Sequence, residues 1–357
     1  MKGGQVRTFV LHPARLDLNW YRIPYPAPLR RMISSRSIRT LSCIFLLGLA
    51  ACGGDARGRL VVYNAGSLAR PLKAALDSFA RRENLVIDQE SAGSLESARK
   101  LTELGKIPDL IALADADVFP GYLVPTHVSA YVEFARNRMV VAYTDRSRGA
   151  AEITPRNWPA MLSRGDVEVG RSDPELDPNG YRTLMVWQLA ARVFGEPGLA
   201  ERMEERAPSR NVRPKEADLI GLLEAGELDY IWSYESIAKA MNFRYVLLGD
   251  SVDLSNPDLA AFYANATVTV RGALAGTRVT FTGKPIMYAF AVPTNAPNPE
   301  IAGRFAAFLT SREGQEILRR EGLDALNEPR VVGQRPPWLP APTVLDTPDS
   351  TAAPETP

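Results

Sequence analysis

Histidine and cysteine are nearly missing from this chain, with two of each in 357 residues. Two cysteines cannot frame a disulfide scaffold or a cysteine zinc site. One of the two histidines lies in the first dozen residues, which leaves His127 alone as the base that serine or cysteine catalysis usually needs. Long apolar runs are also lacking. The one long run, Leu41 to Ala51, has eleven residues, and crossing a bilayer core takes ~20. The whole chain has little excess of either charge, with a formal net of +1, but its parts differ. Residues 1–51 hold eight Lys/Arg and one acid, Asp17, so the remainder carries 34 basic against 40 acidic side chains, a net of −6. An acidic body is poorly suited to non-specific nucleic-acid binding. The rest of the composition, 45% apolar and 23% charged, excludes wholesale disorder, collagen and coiled coil. The length suits two or three domains or one large two-lobed body.

The apolar run follows Arg36 and Arg39 and ends in Leu49-Ala50-Ala51-Cys52, a charged segment followed by an apolar one, as in a secretory signal. That ending resembles the bacterial lipobox, which implies a lipid on Cys52 and a membrane-anchored lipoprotein. Residues 32–51 are then the signal peptide, Met32 the true start, and residues 1–31 an over-called extension. Cys43 falls inside the leader, so the mature body keeps no free thiol. Residues 52–58 form a short tether, at most ~20 Å long. The tail, 334–357, holds seven prolines in 24 residues and is expected to be largely disordered.

From Arg59 onward, short apolar runs alternate with amphipathic segments, which predicts an α/β fold with a largely parallel sheet. The rhythm over Leu60–Leu113 is βαβαβ. Strands are also expected at Arg138–Thr144, Val167–Gly170, Tyr230–Ser233, Tyr245–Leu248 and Met287–Val292, with an antiparallel pair at Ala266–Val270 and Val279–Thr282. Helices are expected at Trp158–Ser163, Tyr181–Val193, Leu219–Ala225, Pro299–Thr310 and Glu313–Glu321. Trp158, Trp187 and Trp232 sit in apolar patterns and read as core, and Glu201 to Arg206 reads as a solvated helix face.

Two segments, Asn64-Ala65-Gly66-Ser67-Leu68 and Ser91-Ala92-Gly93-Ser94-Leu95, place the same Ala-Gly-Ser-Leu between a strand and a helix. Each is expected to set a serine at a helix N-cap at the carboxyl end of a strand, where free N–H groups and a partial positive charge suit an anion. A third loop, Asp173 to Arg182, opens a long helix with a Pro/Asn/Gly turn in which Asp and Asn can cap. Arg182 is expected to pair with Asp177 or Asp173.

These residues resemble the periplasmic molybdate/tungstate-binding proteins of ABC importers, in particular the tungstate-binding type. The likeness runs from about Leu60 to Pro337, through Ala-Gly-Ser-Leu, Asp109-Leu110-Ile111, Arg136-Asn137-Arg138-Met139-Val140, Asp177-Pro178-Asn179-Gly180-Tyr181-Arg182-Thr183, Asp229-Tyr230, Gly283-Lys284-Pro285-Ile286, Pro293-Thr294-Asn295-Ala296-Pro297 and Gly314-Gln315-Glu316-Ile317-Leu318. The resemblance implies a two-lobed type II periplasmic-binding-protein fold, with mixed sheets flanked by helices. Residues 59–133 plus 285–327 would form lobe one and 134–284 lobe two. It further implies that an oxyanion is held in the cleft by Ser67, Ser94, the backbone at Asn179 and Glu216, and the Tyr234 hydroxyl. Asp177 would be either a helix cap or a carboxylate ligand to the metal of the oxyanion. The family's second carboxylate position is Ser233 here, which favours a plain tetrahedral anion. About 6 to 8 charge-assisted hydrogen bonds suffice for nanomolar capture of a dianion, and no cofactor is implied. The expected partners are an importer permease and, through Cys52, the membrane. The protein is expected to be monomeric and to work in the periplasm or at the cell surface.

Two rival readings remain at this level. One is a binder of sulfate, phosphate or ferric iron, although the adjacent tyrosines common in iron sites are absent from the sequence. The other is a hydrolase using Ser67 or Ser94, which would lack both a Gly-x-Ser-x-Gly elbow and a ready base.

Overall fold

The computed structural model describes residues 58–337 and Leu339. The expectations for residues 1–57, including the signal peptide and Cys52, lie outside the described residues, as does nearly all of the tail.

The βαβαβ rhythm folds as read. Strands β1 (Arg59–Ala65), β2 (Val86–Ala92) and β3 (Leu110–Leu113) run parallel, with β1 between the other two. The helix Ala69–Glu83 joins β1 to β2, burying Leu72, Leu76 and Phe79 on one stripe, and stops at Asn84 in the left-handed conformation. Two strands not legible in the sequence complete this first sheet: β4 (Ala130–Arg136) and, at the far end of the chain, β13 (Asp324–Gly333). The sheet order is β13-β4-β12-β3-β1-β2, where β12 is Met287–Ala291. It is mixed rather than largely parallel. β12 runs antiparallel to both β3 and β4, and β13 antiparallel to β4.

The second sheet takes its strands from the middle of the chain, β5 (Met139–Tyr143), β6 (Val169–Ser172), β7 (Val212–Arg213), β8 (Tyr230–Tyr234) and β9 (Arg244–Leu247), in the order β7-β6-β8-β5-β9. An antiparallel hairpin, β10 (Thr267–Arg271) with β11 (Arg278–Thr282), follows. The chain therefore leaves the first sheet after Arg136 and re-enters it at Met287, which makes a two-lobed α/β molecule. The first sheet reaches Arg136 and Gly333, past the expected limits of 133 and 327.

The helix Pro178–Val193 shows how the second lobe is filled. Tyr181, Met185, Leu189 and Ala190 recur at helical spacing and are buried, but so are Arg182, Thr183 and Val186, because the first turns face protein on every side. Below it the three indoles pack edge to face, with ring centroids 5.5 Å apart for Trp158 and Trp232 and 5.9 Å for Trp187 and Trp232. The charged face from Glu201 to Arg206 belongs to the helix Leu199–Arg206, which buries only Leu199 and Met203. Among the described residues no helix is long and apolar enough to cross a membrane.

Candidate functional site

Both Ala-Gly-Ser-Leu turns leave the carboxyl ends of neighbouring parallel strands, but neither serine is a helix N-cap. Ser67 lies within a short 3-10 turn, Gly66–Leu68. Ser94 is the first residue of the helix Ser94–Thr102, whose N-cap is Gly93, and no side-chain cap bond forms at either place. The reason is that each hydroxyl has a different partner. Ser67 Oγ accepts a hydrogen bond from the Tyr288 hydroxyl at 3.0 Å, and Ser94 Oγ accepts one from the Ala114 N–H at 3.0 Å. Both serines are buried.

Tyr234, at the end of β8, completes a set of three. Its oxygen accepts from Arg182 Nη1 at 2.8 Å, and its ring meets that of Tyr288 edge-on with centroids 5.9 Å apart. A hydroxyl whose oxygen already accepts from the protein still has its proton to give. Ser67, Ser94 and Tyr234 are all in that state. Burial pushes the Tyr234 pKa well above its ordinary value, so the phenol keeps this proton. The supports form one connected set: Arg182 Nη1 also donates to the Ala114 carbonyl at 2.7 Å, and Ala114 holds Ser94 through its N–H. Tyr288 in turn accepts from Asn137 Nδ2 at 3.0 Å.

Arg182 does not pair with Asp177 or Asp173 as expected. It crosses to the other lobe and meets Asp115, with Nη2 3.0 Å from Oδ2, and the Tyr181 hydroxyl donates to the same carboxylate oxygen at 2.5 Å. Burial is the largest influence and works against the Arg182 charge, but Asp115, Tyr234 and Tyr181 together outweigh it and hold the guanidinium pKa above its usual value. Asp177 is unavailable to Arg182 because it is engaged elsewhere. It is the N-cap of the helix Pro178–Val193, with Oδ1 3.5 Å from the Asn179 N–H and Oδ2 accepting the Glu216 N–H at 2.8 Å. The two backbone donors expected to face an oxyanion are thus turned towards this carboxylate. Burial is the largest influence on the Asp177 pKa and raises it to about 6, although hydrogen bonds from Glu216 and its neighbours oppose the rise.

The lobes touch through backbone on both sides of these groups. The Leu176 carbonyl accepts the Leu95 and Glu96 N–H groups at 3.1 and 3.3 Å. A Cβ on Gly93 would stand 2.2 Å from that same oxygen. The turn Gly66–Leu68 packs against the turn Glu216–Leu219. Hydrogen bonds from Thr102 to the Ala273 carbonyl and from Tyr122 to the Arg271 carbonyl tie the β10–β11 hairpin to the first lobe. The two lobes are thus in contact, with the Ser67 and Ser94 turns on one side of the seam and Tyr234 on the other.

The sequence does not single out Asp115 or Tyr288, and it offers Asn137 only inside the motif Arg136-Asn137-Arg138-Met139-Val140. The available signal was weak: a tyrosine inside an otherwise apolar strand, and an acid just after one. His127 is half-exposed, in a loop held by backbone bonds to Leu123 and Thr294. Among the described residues no group of three or more His, Cys, Asp or Glu is placed to hold a metal ion.

With this geometry in hand, the chain can be compared with known proteins. It is 40% identical over 290 residues to an uncharacterized solute-binding protein of Petrotoga mobilis, covering 81% of this chain and 90% of that one. It is 35% identical over 331 residues to the molybdate/tungstate-binding protein WtpA of Pyrococcus abyssi, covering 84% and 95%. The sulfate-binding protein SubI of Mycobacterium tuberculosis shares the fold, with a TM-score of 0.53 at 12% identity over 76% of this chain and 88% of that one. Residues 60–324 match the family described as bacterial extracellular solute-binding protein. That span holds the second sheet, the first sheet apart from its edge strand β13, and every cleft residue described above, so the chain belongs to this family of extracellular solute-binding proteins, and it is a binding protein rather than an enzyme.

Proposed function

We propose that the protein captures molybdate or tungstate in the interlobe cleft and delivers it to an ABC importer. The observation that carries this reading is the set of three buried hydroxyls, Ser67 and Ser94 from one lobe and Tyr234 from the other. Each has its oxygen satisfied by a protein donor and its proton free. A ring of donors suits a fully deprotonated tetrahedral dianion, because a protonated anion such as hydrogen phosphate presents a hydrogen with no acceptor to meet it. The likeness to WtpA supports the choice of the larger anions. In this reading Asp177 is the cap of the helix Pro178–Val193 and of the Glu216 turn. Residues 59–136 with 287–333 form lobe one, and the intervening residues form lobe two. A lipid on Cys52 would hold the monomeric protein at the membrane outside the cytoplasm, close to the permease.

The test is calorimetric titration of the purified protein with molybdate, tungstate, sulfate and phosphate in parallel. Molybdate and tungstate are expected to bind far more tightly than the other two. A sulfate affinity equal to that for molybdate would refute the reading.

A further inference from the structure

Glu216 opens the turn that packs against Gly66–Leu68 across the cleft. The residue is buried, at 2% exposure. One oxygen, Oε1, accepts from the Ser233 hydroxyl at 2.5 Å and from the Tyr234 N–H at 2.6 Å. The other, Oε2, is buried with no hydrogen-bond partner. An unpartnered buried polar atom costs ~1 to 3 kcal/mol, more for a charged one, and is rare without a reason.

No ion pair reaches Glu216 among the described residues, since Arg182 is committed to Asp115, Tyr234 and the Ala114 carbonyl. The groups facing it are Asp177, whose carboxylate holds the Glu216 N–H, Tyr234 beside it on β8, and Tyr288 across the cleft. Tyr288 is the residue that donates to Ser67. Glu216 therefore stands between the donors of the two lobes. Holding Ser233 and Tyr234 in place takes a single oxygen acceptor, so a carboxyl group contributes one further atom there that this role leaves unused.

We infer that Glu216 is itself a ligand-contacting residue: its carboxyl group is neutral, and Oε2–H donates a hydrogen bond to the oxyanion in the cleft. A neutral acid adds a donor without adding a charge that would repel the anion. Burial is the main cause of a Glu216 pKa well above the ordinary carboxylate range; the Ser233 hydrogen bond opposes it and Asp177 adds to it. The inference rests on the proposed oxyanion site and extends its donor set with a fourth side chain.

Glu216→Gln and Glu216→Ala separate the roles, titrated with tungstate beside the unaltered protein, with thermal unfolding of each variant recorded. Glutamine keeps the acceptor for Ser233 and Tyr234 and offers a weaker amide donor at Oε2. The expected order of affinity is wild type, then Gln lower by about three- to tenfold, then Ala lower by more than about thirtyfold. If both folded variants bound tungstate within about twofold of wild type, Glu216 would be a structural clamp and the inference would be wrong. Equal, large losses in Gln and Ala would point to an anionic ligand and would also overturn the donor role. Failure of the unaltered protein to bind molybdate or tungstate would sink the proposed function along with it, whereas the variant results bear on Glu216 alone.

Discussion

At Ser67 a single hydroxyl joins two networks, and removing it should separate them. Ser67→Ala takes a donor from the anion and is expected to weaken binding by ~1.5 to 3 kcal/mol, about tenfold to a hundredfold. It also leaves the buried Tyr288 hydroxyl without its acceptor, which should cost ~1 to 3 kcal/mol of stability. Adding Tyr288→Phe should recover much of the stability and none of the affinity. Calorimetry and thermal unfolding of the single and double variants check this, and a full recovery of binding in the double variant would contradict it. Asp177 gives a pH signature. Its pKa is raised from 3.8 to about 6 on folding, so its contribution to stability is greatest below pH 4 and is lost as pH rises through 6, by at most about 3 kcal/mol. Unfolding of wild type and Asp177→Asn compared from pH 4 to 7 should show this loss in the wild type and its reduction in the variant. In the titration, Asp177→Asn should bind the anion equally or slightly better, since a negative charge at the cap of the helix Pro178–Val193 is removed. The sequence made Ser67 and Ser94 legible as candidates from their strand-to-helix turns, and the family resemblance pointed to Tyr234. It could not reveal their partners, because Tyr288 and Ser67 are 221 residues apart and meet only once the first sheet has formed. Separation in sequence likewise hid the pairing of Arg182 with Asp115, and local spacing pointed to the nearer acids instead.

Among the elements, the start of the helix Ser94–Thr102 is the most exacting fit. Gly93 has an ordinary extended backbone, φ −64° and ψ 147°, so alanine is tolerated there by the chain itself. The obstacle is the opposite lobe, whose Leu176 oxygen would lie 2.2 Å from the new Cβ. Gly93→Ala is therefore expected to leave thermal stability of the ligand-free protein within ~0.5 kcal/mol and to weaken anion binding by at least about tenfold, because full closure is obstructed. Unchanged affinity would show that the site does not need this approach. Helices and the parallel strands were readable because their apolar positions recur with a clear period. β13 was not: it carries Glu328, Pro329 and Arg330, and its register breaks between Ala325 and Arg330. Proline and charge are tolerated there because β13 is an edge strand. β4 escaped notice because only Asn137 and Arg138 separate it from β5, with none of the Gly or Pro punctuation that marks strand ends.

Over the whole molecule, the lobes meet through pairs that have one member in each, and Asp115 with Arg182 is a buried ion pair among them, at 9% and 4% side-chain exposure. Asp115→Ala would leave the guanidinium buried and unpaired when closed, a penalty of ~3 to 5 kcal/mol that opening relieves by returning Arg182 to water. Ligand-free Asp115→Ala should then scatter as a more extended particle than wild type. It should still compact on saturation with tungstate, but at higher concentration. Identical scattering curves for the two proteins would remove Asp115 from the closing mechanism. The two-lobed plan followed from the order of motifs along the chain, whereas the residues that bind one lobe to the other could only be seen once both were built. The indole cluster lies wholly in one of those lobes: Trp158, Trp187 and Trp232 are the only tryptophans among the described residues. Ultraviolet excitation thus makes the second lobe a built-in fluorescence donor, and the described residues contain no cysteine to compete with an introduced label. A dye on a single cysteine at Lys73, an exposed position on the first lobe, would receive that energy with an efficiency set by the opening of the cleft, which makes each hinge motion readable as light.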